Sequence, residues 1–124
     1  VRVERLAVDA VLCVERVLKH SATEMPHNNP GYDIESETDN GLDFIEVKGR
    51  VDGGKTFVLT RQEAVTALNK GERSVLALVR VAEDDSTTVR YLRHPVTQPI
   101  DPRAARVEYD WEPFWNDAEE MSQE

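Results

Sequence analysis

Between Gly31 and Arg50 the chain reads GYDIESETDNGLDFIEVKGR, two runs of alternating apolar and polar residues joined by Asp39-Asn40-Gly41. Alternation with a period of two marks a half-covered strand, and an Asn-Gly step between two such runs signals a β-hairpin. The runs 31–37 and 42–49 are therefore expected to pair. With Asn40-Gly41 at the centre of a two-residue turn, Asp39 faces Leu42, Glu35 faces Glu46 and Asp33 faces Lys48. Asp33 then lies diagonal to Glu46. Direct neighbours in such a pair are about 5 Å apart and diagonal ones about 7 Å.

This register gathers Asp33, Glu35, Glu46 and Lys48 on one face of the hairpin, with Phe44 among them. Clustered carboxylates repel one another unless a positive charge sits between them. A hard divalent cation such as Mg²⁺ or Mn²⁺ suits that arrangement, because it takes oxygen ligands and keeps several waters. The Val47 carbonyl is a candidate further ligand. A bound cation would polarise a phosphodiester and lower the pKa of a bound water, and Lys48 would orient that water or offset charge building on the phosphate. A Glu-x-Lys alternation also occurs on solvent-facing edge strands, so the triplet alone does not distinguish a site from a decorated strand.

The surrounding pattern supplies the architecture. Residues 2–19 place Val3, Leu6, Ala7, Ala10, Val14, Val17 and Leu18 at helical spacing, which predicts an amphipathic helix. Residues 20–30, with Pro26, Asn28, Asn29 and Pro30, read as loop. TFVL (56–59) reads as a third strand, and Thr60-Arg61-Gln62-Glu63 as a capping box opening a helix that Gly71 stops. SVLALVRVA (74–82) has the continuous apolar character of a central strand, and TVRYLRH (88–94) reads as its antiparallel neighbour. After Pro95, Pro99 and Pro102, ARVEYDW suggests a last strand and 112–121 a short helix or frayed tail. The expected fold is an α/β sandwich in the order α-β-β-β-α-β-β, a mixed sheet of four to six strands flanked by helices.

With the helix-first order in place, the motifs resemble a known family. GYDIES followed by DFIEVKGR is similar to the Asp…Glu-x-Lys signature of the restriction-endonuclease-like PD-(D/E)XK superfamily. Together with VERLAVDAVLCVE, VLTRQEAVTALN and SVLALVRV, it resembles the Protein NO VEIN C-terminal-like family, a domain of unknown function often placed at the C-terminus of bacterial Swi/Snf-type helicases. The resemblance covers about Val3 to Arg93. It implies a restriction-endonuclease-like fold, Asp33 and Glu46 as metal ligands and Lys48 as catalytic lysine. It further implies an acid from the first helix, for which Glu15 is the first candidate and Glu4, eleven residues earlier on nearly the same helical face, the second. Glu35 is the rival to Asp33. Gly31 and Pro30 precede Tyr32-Asp33, so the Pro-Asp dipeptide of the superfamily's name is absent.

Composition sets limits on function. The net charge of −9 disfavours a generic nucleic-acid-binding surface. Seven acids and no base lie in 107–124, which leaves residues 1–106 nearly neutral. That divides the chain into a main α/β body, 1–106, and an acidic aromatic segment, 107–124, expected to pack on it. A lone Cys13 inside the helical pattern and no apolar run long enough to cross a bilayer predict a cytoplasmic protein without membrane contact. An opening Val1 suggests a piece of a longer polypeptide. His20, His27 and His94 lack zinc-site spacing, while Arg50, Lys55, Arg61, Lys70 and Arg73 are candidates to line a backbone-contacting groove. Three function classes follow. The first is an Mg²⁺- or Mn²⁺-dependent nuclease domain that acts on DNA or RNA beside a helicase region of the same polypeptide. The second is a non-catalytic module holding nucleic acid, and the third a docking domain with an acidic aromatic tail.

Overall fold

The computed structural model describes residues 2–29 and 31–124; Val1 and Pro30, named above, lie outside the described residues. Helix α1 (Arg2–Val17) leads into β1 (Ser21–Glu24), the hairpin β2 (Ile34–Thr38) and β3 (Gly41–Val51), then β4 (Thr56–Thr60) and α2 (Arg61–Lys70). A 3-10 turn (Gly71–Arg73) precedes β5 (Ser74–Val81) and β6 (Thr87–Arg93), and the chain closes with β7 (Arg106–Asp110), α3 (Trp111–Asp117) and β8 (Glu119–Met121). Six strands form one mixed sheet in the order β1-β2-β3-β5-β6-β8, parallel only between β3 and β5.

The sheet is covered on both sides, which explains the continuous apolar run of β5. Ala7, Ala10, Val11 and Val14 of α1 pack on Ile34, Ile45, Val47, Val75, Ala77 and Val79. On the other face Leu76 and Leu78 pack against Phe57 and Leu59, the Ala64 and Ala67 face of α2, and Trp111 and Trp115 of α3. Segment 107–124 thus contributes a strand, two buried indoles and an edge strand. No described helix is long and apolar enough to cross a membrane.

The hairpin differs from its expected register. Thr38 pairs with Gly41, so the turn is centred on Asp39-Asn40, one residue earlier than the Asn40-Gly41 centre. Thr38 decides this: its Oγ1 accepts the Asn40 amide at 3.1 Å and donates to the Gly41 carbonyl at 2.8 Å, while Gly41 takes the positive φ of 117°. A one-residue shift of the turn moves the pairing by two, so every side chain keeps its face but changes its partner. Glu35 faces Phe44 and not Glu46. Beyond the last pair, Ile34 with Ile45, the regular ladder ends: the Asp33 amide bonds the Ile45 carbonyl at 2.9 Å, and Asp33 does not pair with Lys48.

Two other segments depart from expectation. Residues 21–24, read as loop, form β1 on the open edge of β2; SATE is mostly exposed there and carries no apolar alternation to betray a strand. The third strand, β4, leaves the main sheet and pairs with β7 in a separate two-stranded ribbon. Helix α2 follows the sequence signal closely, with both halves of the Thr60–Glu63 capping box formed and Gly71 as C-cap.

Two glycines set the layer spacing around the hairpin. A Cβ on Gly49 would lie 2.8 Å from the Ala7 Cβ, so α1 approaches β3 closely only because that side chain is absent. Gly31 has φ 97°, and a Cβ there would lie 2.5 Å from Thr66 Oγ1 of α2. The approach to β2 is thereby seated against α2, and Asp33 follows two residues later.

Candidate active site

The period of β3 sends Ile45 and Val47 toward α1 and Glu46 and Lys48 toward α2. Asp33 joins the second group: its amide donates to the Ile45 carbonyl at 2.9 Å, and its Oδ2 accepts the Val47 amide at 2.8 Å. Lys48 Nζ lies 3.3 Å from Glu46 Oε2 and 3.1 Å from Glu63 Oε1. These side chains open into a cavity of about 370 Å³ whose polar lining includes Glu4, Asp33, Glu46, Lys48, Thr60 and Glu63.

Electrostatics in this pocket are dominated by burial. Desolvation, and then the neighbouring Asp33, push the Glu46 carboxyl well above the usual carboxylate range. Burial also raises Asp33, against the Val47 amide and Lys48. Burial works against a charged Lys48, yet Glu46 and Glu63 outweigh it and raise the ammonium above its ordinary value. For Glu63, burial is overcome by the Thr60 amide and Lys48, which hold the carboxyl below its ordinary value. Three carboxyl groups, Asp33, Glu46 and Glu63, therefore face the Lys48 ammonium, and burial makes Glu46 the one most reluctant to ionise.

Glu46 Oε1 is buried and has no hydrogen-bond partner. A buried polar atom left unpaired carries a desolvation penalty of about 1–3 kcal/mol. The donor set fits a hard cation, since Asp33 and Glu46 bring carboxyl oxygens to one cavity and Glu46 Oε1 has no partner of its own. Mg²⁺ commonly takes one or two protein carboxylates and completes its shell with water and phosphate oxygens. Among the described residues, no three His, Cys, Asp or Glu side chains close into a ready-made metal cage.

Asp33, Glu46, Val47 and Lys48 are thus brought together. Val47 takes part through its amide, which holds Asp33. Glu15 is not among them. It lies in the last turn of α1, eleven residues or about 16 Å along the helix from Glu4, which does line the pocket. Buried at 1% exposure, Glu15 accepts from Ser36 Oγ at 2.6 Å and Tyr91 Oη at 2.8 Å and contacts His20 Nδ1 at 2.8 Å. That network occupies both carboxylate oxygens, a structural role at the far end of the sheet. Burial and then Glu15 also push the Tyr91 phenol up.

Glu35 keeps the face of Asp33 but accepts from the Tyr32 hydroxyl at 3.1 Å and is not part of the cavity lining. Arg73 belongs elsewhere too, pairing with buried Asp43 at 2.8 Å, whereas Arg50 lines the cavity while donating to the Thr56 and Gly49 carbonyls. Glu63, read from the sequence as the capping-box acid alone, has a second task. Its Oε1 accepts the Thr60 amide at 2.9 Å and also meets Lys48. The available signal was its place in the first turn of a helix that directly follows a strand.

No curated protein and no solved structure matches the chain. Residues 3–92, from the first turn of α1 to the end of β6, match the family described as Protein NO VEIN, C-terminal, and the chain belongs to that family.

Proposed function

We propose that the pocket is a metal-dependent phosphodiesterase site of the PD-(D/E)XK kind, acting on DNA as part of a larger, helicase-associated cytoplasmic protein. The observation that carries this reading is the orphan Glu46 Oε1, buried beside Asp33 and within one side chain of Lys48. A purely structural strand has no use for an unpaired buried carboxylate oxygen, whereas a cation site needs one.

In this reading Asp33 and Glu46 hold Mg²⁺ or Mn²⁺, which when bound supplies a polarised phosphate and a more acidic water. The Val47 amide fixes the Asp33 carboxylate, so its second oxygen is presented in a set direction. Lys48 keeps its positive charge because two carboxylates flank it, and its Nζ donates toward the attacked phosphate or the attacking water. Glu63 holds the ammonium in place from a helix terminus whose own geometry is locked by the capping box.

The test is incubation of the domain with supercoiled and linear DNA in Mg²⁺, in Mn²⁺ and in chelator. Cleavage is expected with either metal, absent with chelator, and lost in Glu46→Gln and Lys48→Ala. Intact DNA in both metals with the parent protein would overturn the reading. A non-catalytic nucleic-acid module on the same fold is the second reading. It draws support from the missing third acid, since the described residues form no group of three metal-ligating side chains.

A further inference from the structure

The β4–β7 ribbon carries a second feature beside the pocket. Thr60 pairs with Arg106 and Val58 with Glu108. Directly paired residues point to the same side of a ribbon, and Val58 and Thr60 line the cavity, so Arg106 stands on the cavity side, one strand further out. Arg106 is exposed. Arg61, next to Thr60, donates its amide to the Ala105 carbonyl at 2.9 Å and its guanidinium to the Pro102 carbonyl. In the loop that Arg61 holds, Arg103, with 90% of its side chain exposed, meets Asp101 at 3.3 Å. Glu108, on the same ribbon face, is engaged by the Thr56 hydroxyl at 3.0 Å.

Register thus puts Arg106 on the cavity side, and Arg61 and Arg103 belong to the same corner, where Arg61 holds the 101–106 loop beside Thr60. The pairing of β4 with β7 brings them there from positions more than forty residues apart. The pocket is lined by Glu4, Asp33, Glu46 and Glu63 against Lys48 and Arg50, and further guanidinium groups beside it would offset that acidity for an approaching polyanion. Guanidinium groups suit phosphate oxygens because of their planar array of donors.

We propose that Arg61, Arg103 and Arg106 form the phosphate-contacting rim that seats a nucleic-acid backbone next to the Asp33–Glu46–Lys48 pocket. Two of the three lie beyond residue 92, outside the matched family region, so the rim is a feature of this chain's own C-terminal segment. For its place in catalysis the proposal rests on the phosphodiesterase reading; for binding it stands alone.

The experiment compares the parent chain with Arg103→Ala/Arg106→Ala, leaving Arg61 intact because its side chain also braces the 101–106 loop. Fluorescence anisotropy with labelled 20-base-pair DNA and RNA duplexes in chelator reads binding without metal-assisted loss of the probe. Each phosphate contact contributes a slope of about −0.9 to the plot of log K against log salt, so losing two should flatten it by about 1.8 and weaken binding at 0.15 M salt on the order of tenfold. An unchanged melting temperature excludes misfolding, and Arg103→Lys/Arg106→Lys should restore most of the binding. A loss seen with both duplexes supports a backbone site shared by DNA and RNA, and a loss seen with one identifies the polymer. Equal affinity and equal salt slope in parent and double variant would overturn the rim, as would a parent that binds neither duplex. Cleavage separates the two proposals. A parent that binds through the rim but never cleaves sinks the phosphodiesterase reading alone, and a double variant that binds like a cleaving parent sinks the rim alone.

Discussion

Glu63 Oε1 sits 2.9 Å from the Thr60 amide and 3.1 Å from Lys48 Nζ, so one oxygen both caps a helix and anchors the pocket's ammonium. Lys48 and Glu63 are each less than a fifth exposed at the side chain, which removes most of the solvent screening that weakens surface pairs. A double-mutant cycle with Lys48→Met and Glu63→Gln should return a coupling of about 1–2 kcal/mol in denaturant melts. Glutamine keeps an acceptor for the Thr60 amide, so the cycle isolates the charge. A coupling indistinguishable from zero would show that Glu63 is only a cap.

The raised Glu46 carboxyl makes a signed prediction about pH. Its folded pKa lies well above the ordinary 4.5, so the folded state keeps a proton that the unfolded chain has already released. Metal-free stability should therefore fall as pH rises from 4.5 through the folded value. Asp33, also raised by burial, acts with the same sign. Glu63, held low, acts in the opposite sense and only where pH drops below 4.5. Melting curves across this range should show the decline in the parent and a much flatter profile in Glu46→Gln. A parent profile as flat as the variant's would contradict the burial argument.

Millimolar Mn²⁺ should counter the same repulsion, because a ligand that binds only the folded state stabilises it by mass action. At a free concentration one hundred times its Kd the gain is about 2.7 kcal/mol, a readily measured rise in melting temperature. Glu46→Gln should match or exceed the parent's metal-free melting temperature and lose the Mn²⁺ response. Lys48→Ala should melt lower without metal, having removed the one cation from the cluster, and should keep most of the response. A parent indifferent to Mn²⁺ would remove the metal from the account.

Glu15 separates structure from chemistry. Replacing it with alanine strips the partner from Ser36 and Tyr91 in a buried setting and should cost about 3 kcal/mol or more. The Mn²⁺-induced shift in melting temperature should survive in Glu15→Ala, because the residue lies at the other end of α1 from the pocket. A lost metal response with the fold intact would restore Glu15 to the site.

Trp111 tests how far the last eighteen residues belong to the body. It is 1% exposed, packed on Phe57 and stacked on Trp115. Trp111→Ala should cost about 3–5 kcal/mol in thermal or chemical melts. A loss below about 1 kcal/mol would show a segment that rests loosely on the sheet.

The sequence carried the face of each hairpin residue more securely than its partner. Alternation fixes which side Glu46 and Lys48 take, and that parity survives a slipped turn, but the partner depends on whether Thr38 or Asp39 closes the turn. Helical periodicity places Glu4 and Glu15 on nearly one face without saying which turn meets the hairpin. That choice is made by Gly49, where the missing Cβ lets the first turns of α1 settle on β3. Glu63 was legible as a cap, because capping is local, and illegible as a partner of Lys48, because that contact depends on how α2 docks. Strand β1 could not be seen at all: an exposed edge strand of four polar-leaning residues has no pattern of its own.

The two-sided burial of β5 also orders the assembly of the chain as it leaves the ribosome. The fully buried residues on the α1 side of the sheet have all emerged by Val89, with only Tyr91 and Met121 still to pack against them. The opposite side must wait for Trp111 and Trp115, and Phe57 for Tyr109, about fifty residues downstream. Distant pairings of this kind slow folding because a long loop must close before any contact rewards it. The half-sheet therefore spends an interval with Leu76, Leu78, Phe57 and Leu59 bare, the kind of transient apolar face that chaperones hold. Lys48 meets Glu63 only as α2 settles on that same face, so the pocket takes its final shape late in the birth of the molecule.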